Sequence, residues 1–189
     1  FHTHCIANLR KKAPRTLRNP PEGMGKSSCA DGLVFLRNVE APRASTSLPR
    51  TLHQVLYLPG KPGRCVAPRF KELARSWQHV GGLAGYQLWG TAAVDRLLHD
   101  PETAREFPLL ARVLPCLREL PTALSDIARY LILWRHGGYY ADMDTEATGP
   151  VPTAHNASAL FGVECYPSSM PTQFFMGVQP RHPLMKYAI

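Results

Sequence analysis

Apolar and polar positions change texture near residue 50. Before it, little periodicity is visible. From Leu52 a short apolar run, Leu52–Leu58, closes on Pro59-Gly60 and predicts a buried strand followed by a turn. Phe70, Leu73, Ala74 and Trp77 recur at i, i+3, i+4 and i+7, which predicts a helix over Pro68–Val80 ending at Gly81-Gly82. Tyr86–Trp89 reads as a second strand. Thr91–Leu98, with Ala92, Val94, Leu97 and Leu98 apolar, reads as a second helix. Pro101–Pro121 is helical in composition but interrupted by Pro108 and Pro115.

The longest apolar-periodic element follows. Thr122 or Ser125 is placed to cap a helix that runs to His136, where Gly137-Gly138 stops it. Tyr139–Ala141, Ala159–Val163 and Phe174–Val178 read as strands, and Pro183 opens a last helix. Strands alternating with helices predict an α/β sandwich with a mixed, largely parallel sheet. No run of about 18 apolar residues suggests a membrane span.

Charge is also unevenly spread along the chain. The 189 residues carry a formal net charge of +8. Residues 1–71 hold 13 basic and 3 acidic side chains, whereas the remainder holds 9 basic and 11 acidic. The excess that would suggest nucleic acid therefore lies in the first third of the chain, mainly the Pro-rich start and the first loops, and no nucleic-acid-binding motif accompanies it. Prolines, 18 in all, add to the irregular texture of the start. Residues 1–48 read as a basic, Pro-rich tail or stalk, mostly irregular, and residues 49–189 as the folded domain. The five cysteines are scattered without zinc spacing, and Asn156-Ala157-Ser158 is a glycosylation sequon that matters only in a secretory chain.

Candidate chemistry concentrates between Ser125 and Asp144. Asp126 and Arg129, three residues apart, share a helix face. From Asp126 to His136 the helix is roughly 16 Å long at ~1.5 Å per residue. From Gly138 to Asp142 an extended strand covers roughly 13–16 Å at ~3.3 Å per residue. After a tight reversal at the glycines, Asp142 and Asp144 return to the end that carries Asp126 and Arg129. Three carboxylates and a guanidinium at one sheet edge suit a hard divalent cation, Mn²⁺ or Mg²⁺, and a diphosphate. On a continuing strand Asp142 and Asp144 would face one way and Met143 the core.

The string Ser125-Asp126, Arg129-Tyr130, Gly137-Gly138, Tyr140, Asp142, Asp144 resembles the DXD sugar-binding region of glycosyltransferase family 32. That family's pattern is Ser-Asp-x-x-Arg-Tyr, an apolar helix, then Gly-Gly-x-Tyr-x-Asp-x-Asp. The group includes outer-chain α-1,6-mannosyltransferases and sphingolipid mannosyltransferases, and is more distantly similar to clostridial glucosylating toxins. Leu48–Gln54, Ser76-Trp77, Gly85–Trp89 and Phe174–Leu184 resemble its flanking segments, so the likeness covers residues 48–189.

The resemblance implies a GT-A nucleotide-sugar-binding sandwich and a metal-dependent, retaining transfer of a hexose, mannose first, to a glycan or glycolipid. It implies GDP-mannose or a UDP-hexose as donor. Asp126 and Arg129 would hold sugar and diphosphate, Tyr140 would line the donor pocket, and Asp142 would touch sugar or ribose and assist the metal. Asp144 would ligate the metal directly, with Asp142 and Asp144 as the catalytic pair. It also implies a lumenal place in the Golgi or another secretory membrane, with membrane association through an N-terminal anchor preceding this chain. Two departures stand out. Leu56, followed by Tyr57, occupies the place of the family's base-stacking Trp, and family members continue past the position of Ile189. The domain is therefore expected to be C-terminally incomplete, and a non-catalytic nucleotide-sugar-binding remnant is the alternative. A haloacid-dehalogenase-type phosphatase also uses Asp-x-Asp, but Glu146 stands where its pattern wants Thr or Val, and Asp126 and Arg129 would have no role.

Overall fold

The structure, a computed structural model, describes residues 33–36, 47–60, 66–153, 157–164 and 170–189. Six strands form one sheet in the order β1-β5-β6-β4-β2-β3. They are β1 (Leu33–Leu36), β2 (Thr51–Leu56), β3 (Gly85–Gly90), β4 (Gly138–Ala141), β5 (Ala159–Glu164) and β6 (Met170–Val178). The helices are α1 (Pro68–Gln78), α2 (Thr91–Leu98), α3 (Pro101–Glu106), α4 (Pro108–Leu117), α5 (Pro121–His136) and α6 (Pro183–Ala188). The expected mixed α/β sandwich is present. Parallel pairing centres on β2, which pairs in parallel with β3 and β4. The β4–β6, β5–β6 and β1–β5 pairs are antiparallel.

The two faces of the sheet carry different cores. β4 is buried along its whole length, and its period of two sends Tyr140 to one face and Tyr139 to the other. Tyr140, Val55 and Met176 meet Leu131 and Ile132 of α5, Val94 and Leu98 of α2, and Leu110 and Leu114 of α4. Tyr139, Leu52 and Phe175 meet Trp77 of α1 and Val151 of the segment after β4. Trp77 stacks on Phe175 at 5.7 Å between ring centroids.

The turn between α5 and β4 fixes the layer geometry. Gly137 and Gly138 have φ of 61° and 89°, where a side chain is strained. A Cβ on Gly137 would lie 2.5 Å from Pro180 Cδ, and one on Gly138 2.5 Å from the Thr51 carbonyl oxygen. Glycine therefore lets β4 start in contact with β2 directly beneath the end of α5.

Three sequence expectations are corrected. Leu33–Leu36, inside the segment read as an irregular tail, is a strand paired to β5, and Leu48 is buried in the core. The other tail residues up to 46 lie outside the described set, as do Asn156 of the sequon and every cysteine except the exposed Cys116. Neither Thr122 nor Ser125 caps α5. Its N-cap is Leu120 without a side-chain bond, and Pro121 opens the helix with its preset φ. Pro108 does start a new helix, but Pro115 sits within α4, where one lost backbone bond near the helix end is outweighed by burial of Leu110 and Leu114. At the end of α5, burial, then Arg135, lowers the His136 pKa, and the His136 ring lies 6.0 Å from His53 and 5.5 Å from Trp89.

That ring cluster settles His53 as a structural residue. Trp89 Nε1 donates to His53 Nδ1 at 3.2 Å, so the ring proton sits on Nε2, 3.2 Å from the Gly137 carbonyl that accepts it. Burial, then His136, pulls its pKa down to about 4. Among the described residues, no helix is long and apolar enough to cross a membrane.

Candidate functional site

The strands β2, β3 and β4 run the same way, so Leu56, Gly90 and Ala141 end at one edge. Ligands of open α/β sheets bind outside such carboxyl ends. α5 runs back over β4, which returns its first turns to that edge, as the matched lengths of helix and strand imply.

Arg129 is the centre of what gathers there. Its side chain is 8% exposed. NH2 lies 2.5 Å from Asp126 Oδ1, NH1 lies 3.2 Å from Asp142 Oδ1, and NH1 also donates to the Gln173 carbonyl at 3.3 Å. The guanidinium sits 5.0 Å from the centroid of the Tyr140 ring. Nε is buried and has no acceptor among the described residues. An unpaired buried donor is unfavourable.

Asp142 ends β4. Its N–H donates to the Phe174 carbonyl at 2.9 Å, which continues the β4–β6 pairing by one residue. Tyr140, expected to line a pocket, is 1% exposed. It instead holds Asp142 from below, donating its hydroxyl to Oδ1 at 2.8 Å. Both described contacts of the carboxylate fall on Oδ1. Burial, the largest influence, raises the Asp142 pKa above the usual carboxylate range. Asp144 and Asp126 push the same way, while Arg129 and the Tyr140 hydroxyl oppose. Asp126 and Asp142 share one guanidinium, and Asp144 adds a third negative charge near Asp142.

Asp144 is exposed. The Asp-x-Asp segment does not continue the strand, which corrects the alternation argument. The chain turns after Ala141, and both the N–H and hydroxyl of Thr145 donate to the Asp142 carbonyl, at 3.1 and 2.6 Å. Met143 is half-buried rather than pointed into a core.

The residues that fix this turn carried no role in the sequence reading. Gln54 of β2, fully buried, donates from Nε2 to the Asp142 carbonyl at 3.0 Å and accepts the Tyr86 hydroxyl at 2.7 Å. Trp77 Nε1 donates to the Thr145 carbonyl at 3.1 Å, and Ser76 Oγ accepts the Ala147 N–H at 3.0 Å. The signal available was a glutamine inside an apolar strand and a Ser-Trp pair at the end of a helix. Buried polar groups in such places need partners. Trp77 is thus a packing residue, as expected, with a second task.

A cavity of about 460 Å³ lies between the chain after β2, α2, α3, α4 and the start of α5. Tyr57, Asp95, His99, Arg118 and Leu124 contribute to its lining. Its size suits a small ligand. The Tyr57 hydroxyl donates to Asp95 Oδ1 at 2.9 Å, and burial, then Asp95, pushes the phenol up to about 12.

The donor set can be tested against a divalent cation. Among the described residues no ready group of three or more His, Cys, Asp or Glu side chains forms a metal site. Asp142 Oδ2 and the exposed Asp144 are hard oxygen ligands in a region of negative charge. That set fits Mn²⁺ or Mg²⁺ when a diphosphate and water complete the shell.

Comparisons with known proteins agree with this arrangement. Residues 92–160 match the family described as glycosyltransferase sugar-binding region containing DXD motif. The fold is similar to that of the solved structure titled PaToxG Glycosyltransferase, with a TM-score of 0.55 at 14% identity. The similarity covers 74% of this chain and 57% of that one, so the chain spans little more than half of the neighbour's length. No curated protein matches. The matched region runs from α2 through the Arg129 cluster to β5, so the likeness to that family falls on the segment that holds the candidate site.

Proposed function

We propose that the domain binds a nucleotide diphosphate sugar and transfers its hexose, with retention of configuration, to a glycan or glycolipid acceptor. The observation that carries this reading is Arg129 held between Asp126 and Asp142 at the edge where parallel strands end. Asp126, one-third exposed, is placed to accept hydrogen bonds from sugar hydroxyls. Arg129 fixes both acids, and its unpaired Nε–H is the donor left for a sugar or phosphate oxygen. Tyr140 keeps the Asp142 carboxylate oriented from beneath. Asp142 and Asp144 would hold Mn²⁺ or Mg²⁺, which when bound supplies charge neutralisation for the leaving diphosphate. The cavity at Tyr57 is the place for the base and ribose. Tyr57, which lines it, replaces the Trp expected at Leu56.

Mannose from GDP-mannose, then UDP-hexoses, are the first donors to examine, and a lumenal secretory location follows from the same reading. A donor-hydrolysis screen with Mn²⁺ tests it. The account expects release of free sugar from at least one GDP- or UDP-hexose. Binding of the donor without hydrolysis or transfer would instead identify a non-catalytic sugar-nucleotide-binding domain.

A further inference from the structure

The cavity at Tyr57 has mostly apolar walls, made by Leu98, Leu114 and Leu124 among others, but Asp95 and Arg118 also line it. Asp95 belongs to α2, and Arg118 directly follows α4. Among the described residues neither makes an ion pair. A few polar groups on an otherwise apolar wall are what orient a ligand in a small-molecule site.

The Asp95 carboxylate is fixed in place. The Tyr57 hydroxyl donates to its Oδ1 at 2.9 Å, and the next residue, Leu58, donates its N–H to Thr91 Oγ1 at 2.9 Å. These two bonds tie the chain leaving β2 to α2. His99 donates from Nδ1 to the Asp95 carbonyl at 2.9 Å and leaves the carboxylate alone. Among the described residues Oδ2 has no partner, and Oδ1 keeps a lone pair beyond the one Tyr57 uses. Leu124 precedes Asp126 by two residues on α5, so the cavity wall and the Arg129 cluster share one stretch of helix.

An ionised carboxylate accepts hydrogen bonds and donates none. It therefore matches a nucleobase edge with two adjacent donors. Guanine has such an edge, N1–H beside the 2-amino group. Uracil sets one N3–H between two carbonyls, and adenine and cytosine each set a donor beside an acceptor, so all three turn a lone pair towards the carboxylate. A guanidinium adds to the match, because O6 and N7 of guanine together accept the two-pronged donor of arginine.

We propose that this cavity is a guanine site, in which the Asp95 carboxylate accepts from N1–H and the 2-amino group, Arg118 donates to O6 and N7, and a GDP-sugar is selected over a UDP-sugar. This rests on the reading of the cavity as the base pocket of a nucleotide-sugar site. Calorimetric titration tests it, with GDP, XDP, ADP and UDP in the presence of Mn²⁺, on the wild type, Asp95→Asn and Arg118→Ala, each checked for fold by circular dichroism. In Asp95→Asn the amide oxygen still accepts from Tyr57 and N1–H, but its NH₂ meets the 2-amino group of guanine. Xanthine has a carbonyl at that carbon and restores the match.

The wild type is expected to bind GDP at least about tenfold more tightly than UDP or ADP. Asp95→Asn is expected to weaken GDP at least about tenfold and to bind XDP more tightly than the wild type does. Arg118→Ala, a change at an exposed residue, is expected to weaken GDP and leave UDP unchanged. A bond that only tethers β2 to α2 would instead weaken every nucleotide alike. Equal affinity of the wild type for GDP and UDP, or for GDP and ADP, overturns the guanine site and leaves the donor reading standing. So does a folded Asp95→Asn or Arg118→Ala that binds GDP as the wild type does, or an Asp95→Asn that loses GDP and UDP in parallel without gaining XDP. A wild type that binds no nucleotide overturns the donor reading and the guanine site with it.

Discussion

Arg129 on α5 and Asp142 at the end of β4 meet at 3.2 Å, and the same guanidinium holds Asp126 at 2.5 Å. Even with that partner, burial keeps the Asp142 pKa above the usual range. The folded chain therefore binds the Asp142 proton more tightly than the unfolded chain does. Stability from this group is present at acid pH and falls as pH rises through the raised pKa. Asp142→Asn keeps an oxygen for Tyr140 and Arg129 but removes the charge. It is expected to raise the unfolding midpoint at neutral pH by ~1–4 °C, a gain that vanishes at acid pH. Thermal unfolding across pH checks this, and a variant less stable than wild type at pH 7.5 contradicts it.

His53 gives the opposite slope. Its pKa is about 4 in the folded chain against an ordinary value of 6.5. The unfolded chain takes up the proton first, so stability is full above the unfolded value and is lost as pH falls towards 4. The loss at the acid limit is about 3 kcal/mol. Urea unfolding at pH 7 and pH 4.5 measures it, and His53→Asn should flatten the dependence while lowering stability at pH 7.

Gln54 and Trp77 hold the turn that carries the acids. Gln54→Leu strands the Tyr86 hydroxyl and takes one of three donors from the Asp142 carbonyl, at a cost of about 1–3 kcal/mol. Trp77→Phe keeps the stack on Phe175 but frees the Thr145 carbonyl, a smaller loss of about 1 kcal/mol. Both should raise the Mn²⁺ concentration needed for half-maximal nucleotide binding. A titration unchanged in both variants would remove their positioning role.

Gly138→Ala places a methyl against the Thr51 carbonyl at a φ of 89°. Strain and overlap together exceed about 3 kcal/mol. The variant should be largely insoluble or unfold at least ~6 °C lower, because β4 cannot start beside β2.

Much of this was legible in the chain because local signals and tertiary contacts agree there. α2 was read to the residue from its apolar spacing. The Asp126–Arg129–Asp142 meeting followed from the lengths of one helix and one strand joined by glycines. Elsewhere tertiary context decided. β1 has too little periodicity to be read alone and exists through pairing with β5. The Asp-x-Asp turn depends on Thr145, Gln54 and Trp77, which come from three other places. The cavity wall at Tyr57 is made by helices whose packing no local pattern specifies, and β6 bulges at residues 173–175 through a mismatch with β5 that neither strand encodes singly.

The central claim is that the acids at the end of β4 make nucleotide binding depend on a divalent cation. Calorimetric titration of the wild type and Asp144→Ala with GDP and UDP, with and without Mn²⁺, tests it most directly. The account predicts binding by the wild type that requires Mn²⁺, and loss of that binding in a folded Asp144→Ala. Equal affinity with and without Mn²⁺, or an Asp144→Ala variant that binds as the wild type does, would contradict it.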